Sequence, residues 1–529
     1  MRNTVLRFPH PWLPLLTAML LAGAAVGVLT GCIGRAQATA PALRIESPSW
    51  RPGKEVELIL HTTPPRAAAP LTLTVLAPGG GQPQVAGLAP EFFGLSGVQL
   101  SWLPAEDRAI EIALAAASGA HFIGLDFDWR RIEPEKGRYV WEETDEIVAL
   151  ARHYGLRLVP MLLYTPRWAS SAPFAPLDYH RAPPVGYHDY RDFVYAVVNR
   201  YKPYGQSRLT ADGYGITDWI IWNEPNVSGV GEAPQPGQFW IGSLEEYIQL
   251  LRAGYEGAHA ADPNCNVLNG GLADVFWAAG KGDIVTALER LYDPNGDGNA
   301  ADGGRPFFDT LNVHIYPPGT PDAAWYRERL EAIARVMERF GDADKPLWIT
   351  ETGYGAVPHL PPGSSSYVDE ETQAQAVRLV YETCAAFPQV QRVFWWSLRD
   401  YYQDGSAANQ AMEAHYGLLR TNFAPKPSYL AYGNLTGSVG ETLVLTTTTD
   451  ERGIARLVVP SSFVTRQGKY IVFAWLDDRT RAAAGVYEAQ PDAGEARGTG
   501  FPACGTGFPA CGTGFPACGT GFPACRQRH

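Results

Sequence analysis

An α/β fold, a TIM (β/α)8 barrel with a small β-rich accessory region from the flanking segments, is what this sequence predicts, and three observations predict it. Between Phe92 and about Tyr432, short apolar runs alternate eight times with helical stretches. Two of those runs end abruptly in a glutamate: Trp219-Ile220-Ile221-Trp222-Asn223-Glu224-Pro225-Asn226 and Pro346-Leu347-Trp348-Ile349-Thr350-Glu351-Thr352-Gly353. The 529 residues exceed one compact core and leave flanks on both sides for further units.

The elements follow in chain order. Arg2 and Arg7 precede an apolar run from about Leu13 to Leu29, the pattern of an export signal. Leu29-Thr30-Gly31-Cys32 resembles a bacterial lipobox, in which Cys32 is lipidated and becomes the first residue. Residues 1–32 are thus read as signal and 33–41 as a tether. Ala36-Gln37-Ala38 is a competing cleavage site, and the apolar run also approaches the length of an uncleaved anchor. In all three readings the mature protein lies outside the cytoplasm, and any membrane contact is through this terminus.

Segment 42–88 alternates apolar and polar residues, as in Val56-Glu57-Leu58-Ile59-Leu60 and Leu71-Thr72-Leu73-Thr74-Val75, between prolines and glycines; this predicts short antiparallel strands. The barrel is read over 89–432. Its strands are expected at Phe92–Ser96, Ala120–Phe127, Leu156–Leu163, the Trp219 run, Asn266–Asn269, Phe308–His314, Leu347–Glu351 and Arg392–Ser397. Helices are expected between them, for example over Asp107–Ala117 and Ala324–Phe340. Segment 433–490 returns to strands at Leu443–Thr446, Ala455–Val459 and Tyr470–Ala474, and is expected to join the amino-terminal strands in one β module. Residues 491–529 hold four identical copies of Gly-Thr-Gly-Phe-Pro-Ala-Cys from Gly498 to Cys525; Gly and Pro in every heptad and one Phe per repeat predict a disordered tail.

A net charge of −12 argues against nucleic acid as the main partner and fits a neutral or weakly charged substrate. Of seven cysteines only Cys265 and Cys384 lie in the folded body, with neither metal spacing nor a disulfide framework. Asp293-Pro294-Asn295-Gly296-Asp297-Gly298-Asn299 mimics the start of a calcium loop, but Gly304 stands where the closing glutamate belongs, and the same residue types make ordinary turns.

Each apolar run reads as a buried strand, which leaves Glu224 and Glu351 at strand carboxyl ends, where barrels of this kind do their chemistry. Two such carboxyl groups about 5–5.5 Å apart can cleave a glycosidic bond with retention, one as acid/base and one as nucleophile. Here a family comes into view. Trp222-Asn223-Glu224-Pro225-Asn226, Phe239-Trp240, Glu246-Tyr247, Asp262-Pro263 and Gly270-Gly271, in that order, resemble the large clan of retaining glycosidases with glutamates on strands four and seven, and within it glycoside hydrolase family 39, which includes β-xylosidases. The resemblance spans about Phe92 to Tyr432. It implies that Glu224 is the acid/base, that Glu351 is the nucleophile, and that Asn223 bonds the sugar 2-hydroxyl. It implies that His314 or Tyr316, at the end of strand six, touches the nucleophile, and that Trp396 is the platform under the sugar. Trp129 and Trp168, after strands two and three, are further candidates for stacking on sugar. It implies no cofactor and no metal. The function expected is cleavage of O-glycosidic bonds in plant-type or bacterial poly- or oligosaccharides, β-xylosidase-like. The rivals are an endo-acting glucanase or mannanase of the same clan and a catalytically weak carbohydrate-binding barrel.

The sequence departs from the clan at one place. The usual arginine near the end of strand two falls on Gly124, and a nearby guanidinium normally lowers a carboxylate pKa by about 1–3 units. Without it Glu351 is expected to be harder to ionise, and Arg130 and Arg131 in the following loop are the nearest candidates to compensate.

Overall fold

The computed structural model describes residues 42–490, apart from 86, 98–99, 176–177, 228–238, 275–282, 358–367, 402–414 and 478–481. The signal, Cys32, the tether and the repeat tail lie outside the described residues.

Three amino-terminal strands, β1 (Ala42–Glu46), β2 (Val56–Thr63) and β3 (Pro70–Pro78), precede the barrel. The barrel strands are β4 (Phe93–Ser96), β5 (Phe122–Asp128), β6 (Arg157–Leu163), β7 (Asp218–Ile221), β8 (Asn266–Asn269), β9 (Leu272–Ala273), β10 (Leu311–Ile315) and β11 (Leu347–Thr352). Two short strands, β12 (Ala356–Val357) and β13 (Val368–Asp369), pair with each other, and β14 (Val390–Trp396) is the last barrel strand. Four more, β15 (Val439–Thr448), β16 (Ile454–Val459), β17 (Gly468–Trp475) and β18 (Ala483–Ala489), complete the chain.

The barrel strands are parallel and run in the order β8-β7-β6-β5-β4-β14-β11-β10-β9. This is a TIM barrel whose fifth strand is in two pieces: β8 pairs with β7, and β9 pairs with β10. The break is at Gly270-Gly271, where Gly271 takes φ +53° and any Cβ would run into the His314 ring. A Leu268–Thr310 bridge and side-chain bonds between Asn269 and Asn312 close the ring across the break.

Period-2 alternation sorts each strand. On β5, Phe122, Gly124 and Asp126 point into the barrel. The floor is aromatic: Phe122, Trp348 and Phe394 meet at about 6 Å between centroids. Arg392 is sandwiched 4.0 Å from both the Phe122 and Trp348 rings, and burial pulls its pKa down to about 10. Glycine stands at 94 because a Cβ there would meet the Phe394 ring at 2.5 Å. Amphipathic helices form the outer layer. One of them, Leu244–Ala261, starts at a Ser243–Glu246 capping box that satisfies two otherwise unpaired backbone N–H groups.

The flanking strands make one two-sheet module. β1, β2 and β16 form one sheet, and β15, β3, β17 and β18 the other. Leu58, Leu60, Leu73, Val75 and Val472 fill the space between them, each fully buried, and each contributes roughly 1.5–3 kcal/mol. Strand β17 reads as an unbroken apolar run because both its faces are covered. Tyr470, Val472 and Ala474 face the sandwich core, whereas Ile471 and Phe473 belong to the barrel core, with the Phe473 ring edge-on to Tyr429 at 5.3 Å. Cys265 and Cys384 are buried and unpaired, with thiol pKa values pushed up by burial.

Because β3 is sandwiched between β15 and β17, a chain ending at Gly437 loses both its partners. It should melt roughly 10 °C or more below the full chain, or fail to fold. A cooperative transition within a few degrees of the parent, followed by circular dichroism, would contradict this pairing.

Candidate active site

The two glutamates come together through backbone that the strands force out of line. Trp222 follows β7 with φ +72° and still donates its N–H to Leu162 of β6 at 3.1 Å. Glu224 sits at φ +43°, with its N–H on the Gly270 carbonyl beside the break in strand five. A non-glycine residue holds such φ values only where its surroundings fix it. Glu351 lies on β11 opposite His314 of β10, just past an irregularity in their register. Each glutamate is 8% exposed. Oxygen atoms of both and a ring nitrogen of His314 all lie within 4.8 Å of one another.

His314 is wedged between them and fully buried. Its Nδ1 is 2.7 Å from Glu224 Oε1 and 3.5 Å from Glu351 Oε2, while Nε2 is 3.1 Å from Thr350 Oγ1. Burial lowers its pKa, which keeps it neutral. Tyr316 donates its hydroxyl to Glu351 Oε2 at 2.7 Å. Burial, and then the nearby Glu224 and Asp126 carboxyl groups, push the Glu351 pKa up to about 7; the Tyr316 hydrogen bond opposes them, and His314 would oppose them only as a cation.

The structure places the other candidates unequally. Asn223 is 5% exposed, and its Oδ1 has no hydrogen-bond partner among the described residues, so an acceptor beside Glu224 is left for a ligand donor. Trp396 is half-buried at the mouth, 6.1 Å from the Tyr316 ring and edge-on to it, with Tyr416 at 5.1 Å and Tyr401 at 5.9 Å. Its neighbour Trp395 is fully buried and donates to the Tyr416 carbonyl. Trp129 is a correction: it is fully buried, stacked on Phe193 at 5.2 Å, packed on Tyr190, and bonded through Nε1 to Glu133. A ring enclosed on these sides packs the layer between strand and helix and offers no face to a sugar. Trp168 packs edge-on to Trp129 at 5.6 Å, donates to the Glu133 carbonyl, and has Lys136 over its ring at 5.7 Å. None of these contacts of Trp168 and Trp129 is to Glu224 or Glu351.

At strand two, Gly124 faces Ser96, and the next inward residue is Asp126. Burial, and then the neighbouring Asp128, raise the Asp126 pKa to about 7. Arg130 does not take the role of the missing guanidinium: it grips Asp128 with bonds of 2.6–3.1 Å and lies over the Tyr164 ring. Arg131 pairs with Glu143 instead. In the 293–299 loop, Asp293 accepts the backbone N–H groups of Asp297 and Gly298, and Asp297 accepts that of Asn299, which is ordinary turn chemistry. Asp126, Asn269, Asn312 and Thr350 were not among the sequence candidates. Each is a polar residue on a buried, mostly apolar stretch of barrel strand, and that contrast is the signal that marks them.

A family model described as glycosyl hydrolase catalytic core matches residues 210–424, a stretch that contains both glutamates. This part of the barrel is similar to a glycosyl hydrolase catalytic core. A β-xylosidase of Caldicellulosiruptor saccharolyticus is 20% identical to this chain over 311 residues, covering 56% of each chain. A β-xylosidase of Geobacillus stearothermophilus is 22% identical over 272 residues, 47% of this chain and 46% of the relative. The chain thus spans about half the length of the curated relatives it matches. Among solved structures, the chain is similar to a family 39 glycoside hydrolase from Bacteroides cellulosilyticus WH2, with TM-score 0.47, 18% identity, and coverage of 78% of this chain and 85% of that one. It is also similar to a monomeric β-xylosidase from Caulobacter crescentus CB15, with TM-score 0.49, 18% identity, and coverage of 74% and 75%.

If Glu351 is the nucleophile, as the sequence resemblance implies, it must be ionised to attack, and with its pKa raised to about 7, kcat/KM should fall as pH drops through about 7. Tyr316→Phe removes a bond to the anion, so this acid limb should move to higher pH, with a loss near pH 6 of about fivefold (about 1 kcal/mol). An acid limb in the same place in parent and variant would show that Tyr316 does not stabilise the ionised form.

Proposed function

We propose that this chain is a retaining, β-xylosidase-like O-glycosyl hydrolase that works outside the cytoplasm, tethered through Cys32. The closeness of the carboxyl groups carries the mechanistic reading. An oxygen of Glu224 and one of Glu351 lie within 4.8 Å, the spacing of a direct attack on carbon, whereas inverting enzymes keep about 6.5–9.5 Å for an intervening water. Glu351 attacks the anomeric carbon while Glu224 protonates the departing oxygen. Glu224 then takes a proton from the water that releases the sugar. Asn223 supports binding through its Oδ1, which has no partner among the described residues, and Trp396 offers an aromatic face at the mouth. Xylose as the sugar rests on the similar β-xylosidases.

One observation favours a second reading, a carbohydrate-binding barrel with weak chemistry. A carboxyl group, Asp126, stands near Glu351 on the strand where the clan carries an arginine, and it adds to the forces that hold Glu351 in its protonated form.

Chemical rescue separates the two. Glu351→Ala should abolish turnover of aryl β-xylosides, and azide should restore it with the α-glycosyl azide as product. Glu224→Ala should spare substrates with good leaving groups, slow the water step by about 10²–10⁴-fold, and give the β-glycosyl azide. Parent-like rates in both variants, on good and poor leaving groups alike, would remove the glycosidase reading in favour of the binding one.

A further inference from the structure

Behind His314 lies a run of buried amides and one hydroxyl whose hydrogen bonds can point only one way. Asn312 donates Nδ2–H to the Asn269 carbonyl at 3.1 Å, and Asn269 donates Nδ2–H to the Asn312 carbonyl at 2.9 Å. The Asn269 Oδ1 in turn accepts the Asn312 backbone N–H at 2.7 Å. Flipping the Asn312 amide would set its oxygen against a carbonyl oxygen, so Oδ1 must face Thr350. Thr350 has a single hydrogen, and Asn312 Oδ1, 2.7 Å away in a fully buried residue, needs it. Sending that hydrogen to His314 would leave the Asn312 oxygen unpaired in the core, which is the costly alternative. Thr350 Oγ1 is therefore an acceptor toward His314, and His314 carries its hydrogen on Nε2.

We propose that Asn269, Asn312 and Thr350 are positioning residues that fix the His314 tautomer, so that bare Nδ1 accepts a hydrogen bond from Glu224 and keeps the proton on that carboxyl group. The inference rests on Glu224 acting as the acid/base and says how it is held ready. At 2.7 Å from an acceptor, the protonated carboxyl makes a hydrogen bond, whereas the carboxylate would set lone pair against lone pair. In the first step the Glu224 O–H bond breaks, its proton goes to the leaving oxygen, and the C1–O bond electrons leave with that oxygen. The carboxylate left facing Nδ1 is a stronger base. It takes a proton from the incoming water, whose oxygen bonds C1 as the C1–Glu351 bond breaks, and the resting hydrogen bond is restored. Of the other groups around Glu224 and His314, Glu351 from β11, 3.5 Å from Nδ1, opposes this arrangement by favouring a proton on the ring, while Tyr316 from β10 bonds Glu351 rather than His314 and so offsets part of that pull.

Thr350→Val keeps the shape of the side chain and removes the acceptor. His314 can then carry its proton on Nδ1 and donate to an ionised Glu224. The basic limb of the pH profile for kcat/KM should move to lower pH in Thr350→Val, and Thr350→Ser should restore it. The loss should be greater for aryl glycosides with poor leaving groups, by about tenfold or more, than for those with good ones. A basic limb in the same place in all three proteins would overturn the proposal while leaving the glycosidase reading intact. If the parent turns over no glycoside, that reading fails, and the tautomer is still decided by the imidazole ¹⁵N shifts of the full-length, ¹⁵N-histidine-labelled chain, assigned with His314→Gln. A protonated Nε2 and bare Nδ1 in the parent, changed in Thr350→Val, support the proposal. A protonated Nδ1 in the parent overturns it.

Discussion

Two carboxyl groups buried within 4.8 Å of each other are the constraint on which the rest of this barrel depends. Charges of one sign at that distance repel by roughly 3 kcal/mol at an effective dielectric near 20, and burial adds to the cost of ionising either. The site lowers that cost through geometry. A neutral imidazole sits between the glutamates, and a tyrosine hydroxyl favours the anion on Glu351. On the proposed function, this arrangement serves to let one carboxyl group ionise while the other keeps its proton, the division of labour that two-step glycoside cleavage requires.

The fold serves that arrangement at its least regular points. Strand five is broken at Gly270-Gly271, and the break gives room for the His314 ring on one side and a carbonyl for the Glu224 N–H on the other. Around strand eight, Gly97 at φ +71° leaves space for the Trp396 ring. The loop after that strand is anchored by buried ion pairs, Arg399 with Glu111 and Lys426 with Asp400. The floor of the barrel, by contrast, is packed aromatic rings around Arg392.

Much of this was legible in the sequence, for identifiable reasons. Eight parallel strands buried on both faces leave long apolar runs, and a glutamate that closes such a run stands out; the fifth strand was read at Asn266–Asn269, where it is observed. Limits were less legible where side chains outside the strand decide them. The sixth strand starts at Leu311 rather than Phe308 because Asp309 turns aside to bind His259 and the Val267 N–H. Strand β18 was missed because Ala483-Ala484-Gly485 carries little strand preference and is held by pairing with β17. Trp129 shows the limit for single side chains: a tryptophan just after a strand can face the mouth or the helices, and only packing decides. Arg130 could not be placed without knowing that Asp128 would hold it.

The central claim is that the closeness of Glu224 and Glu351 makes this a double-displacement enzyme. It is tested most directly by following hydrolysis of an aryl β-xyloside by proton NMR and reading the configuration of the sugar first released, before mutarotation. The account predicts the β anomer, retention through a covalent intermediate on Glu351. The α anomer as first product would mean a single displacement by water, and the geometry described here would then have been misread.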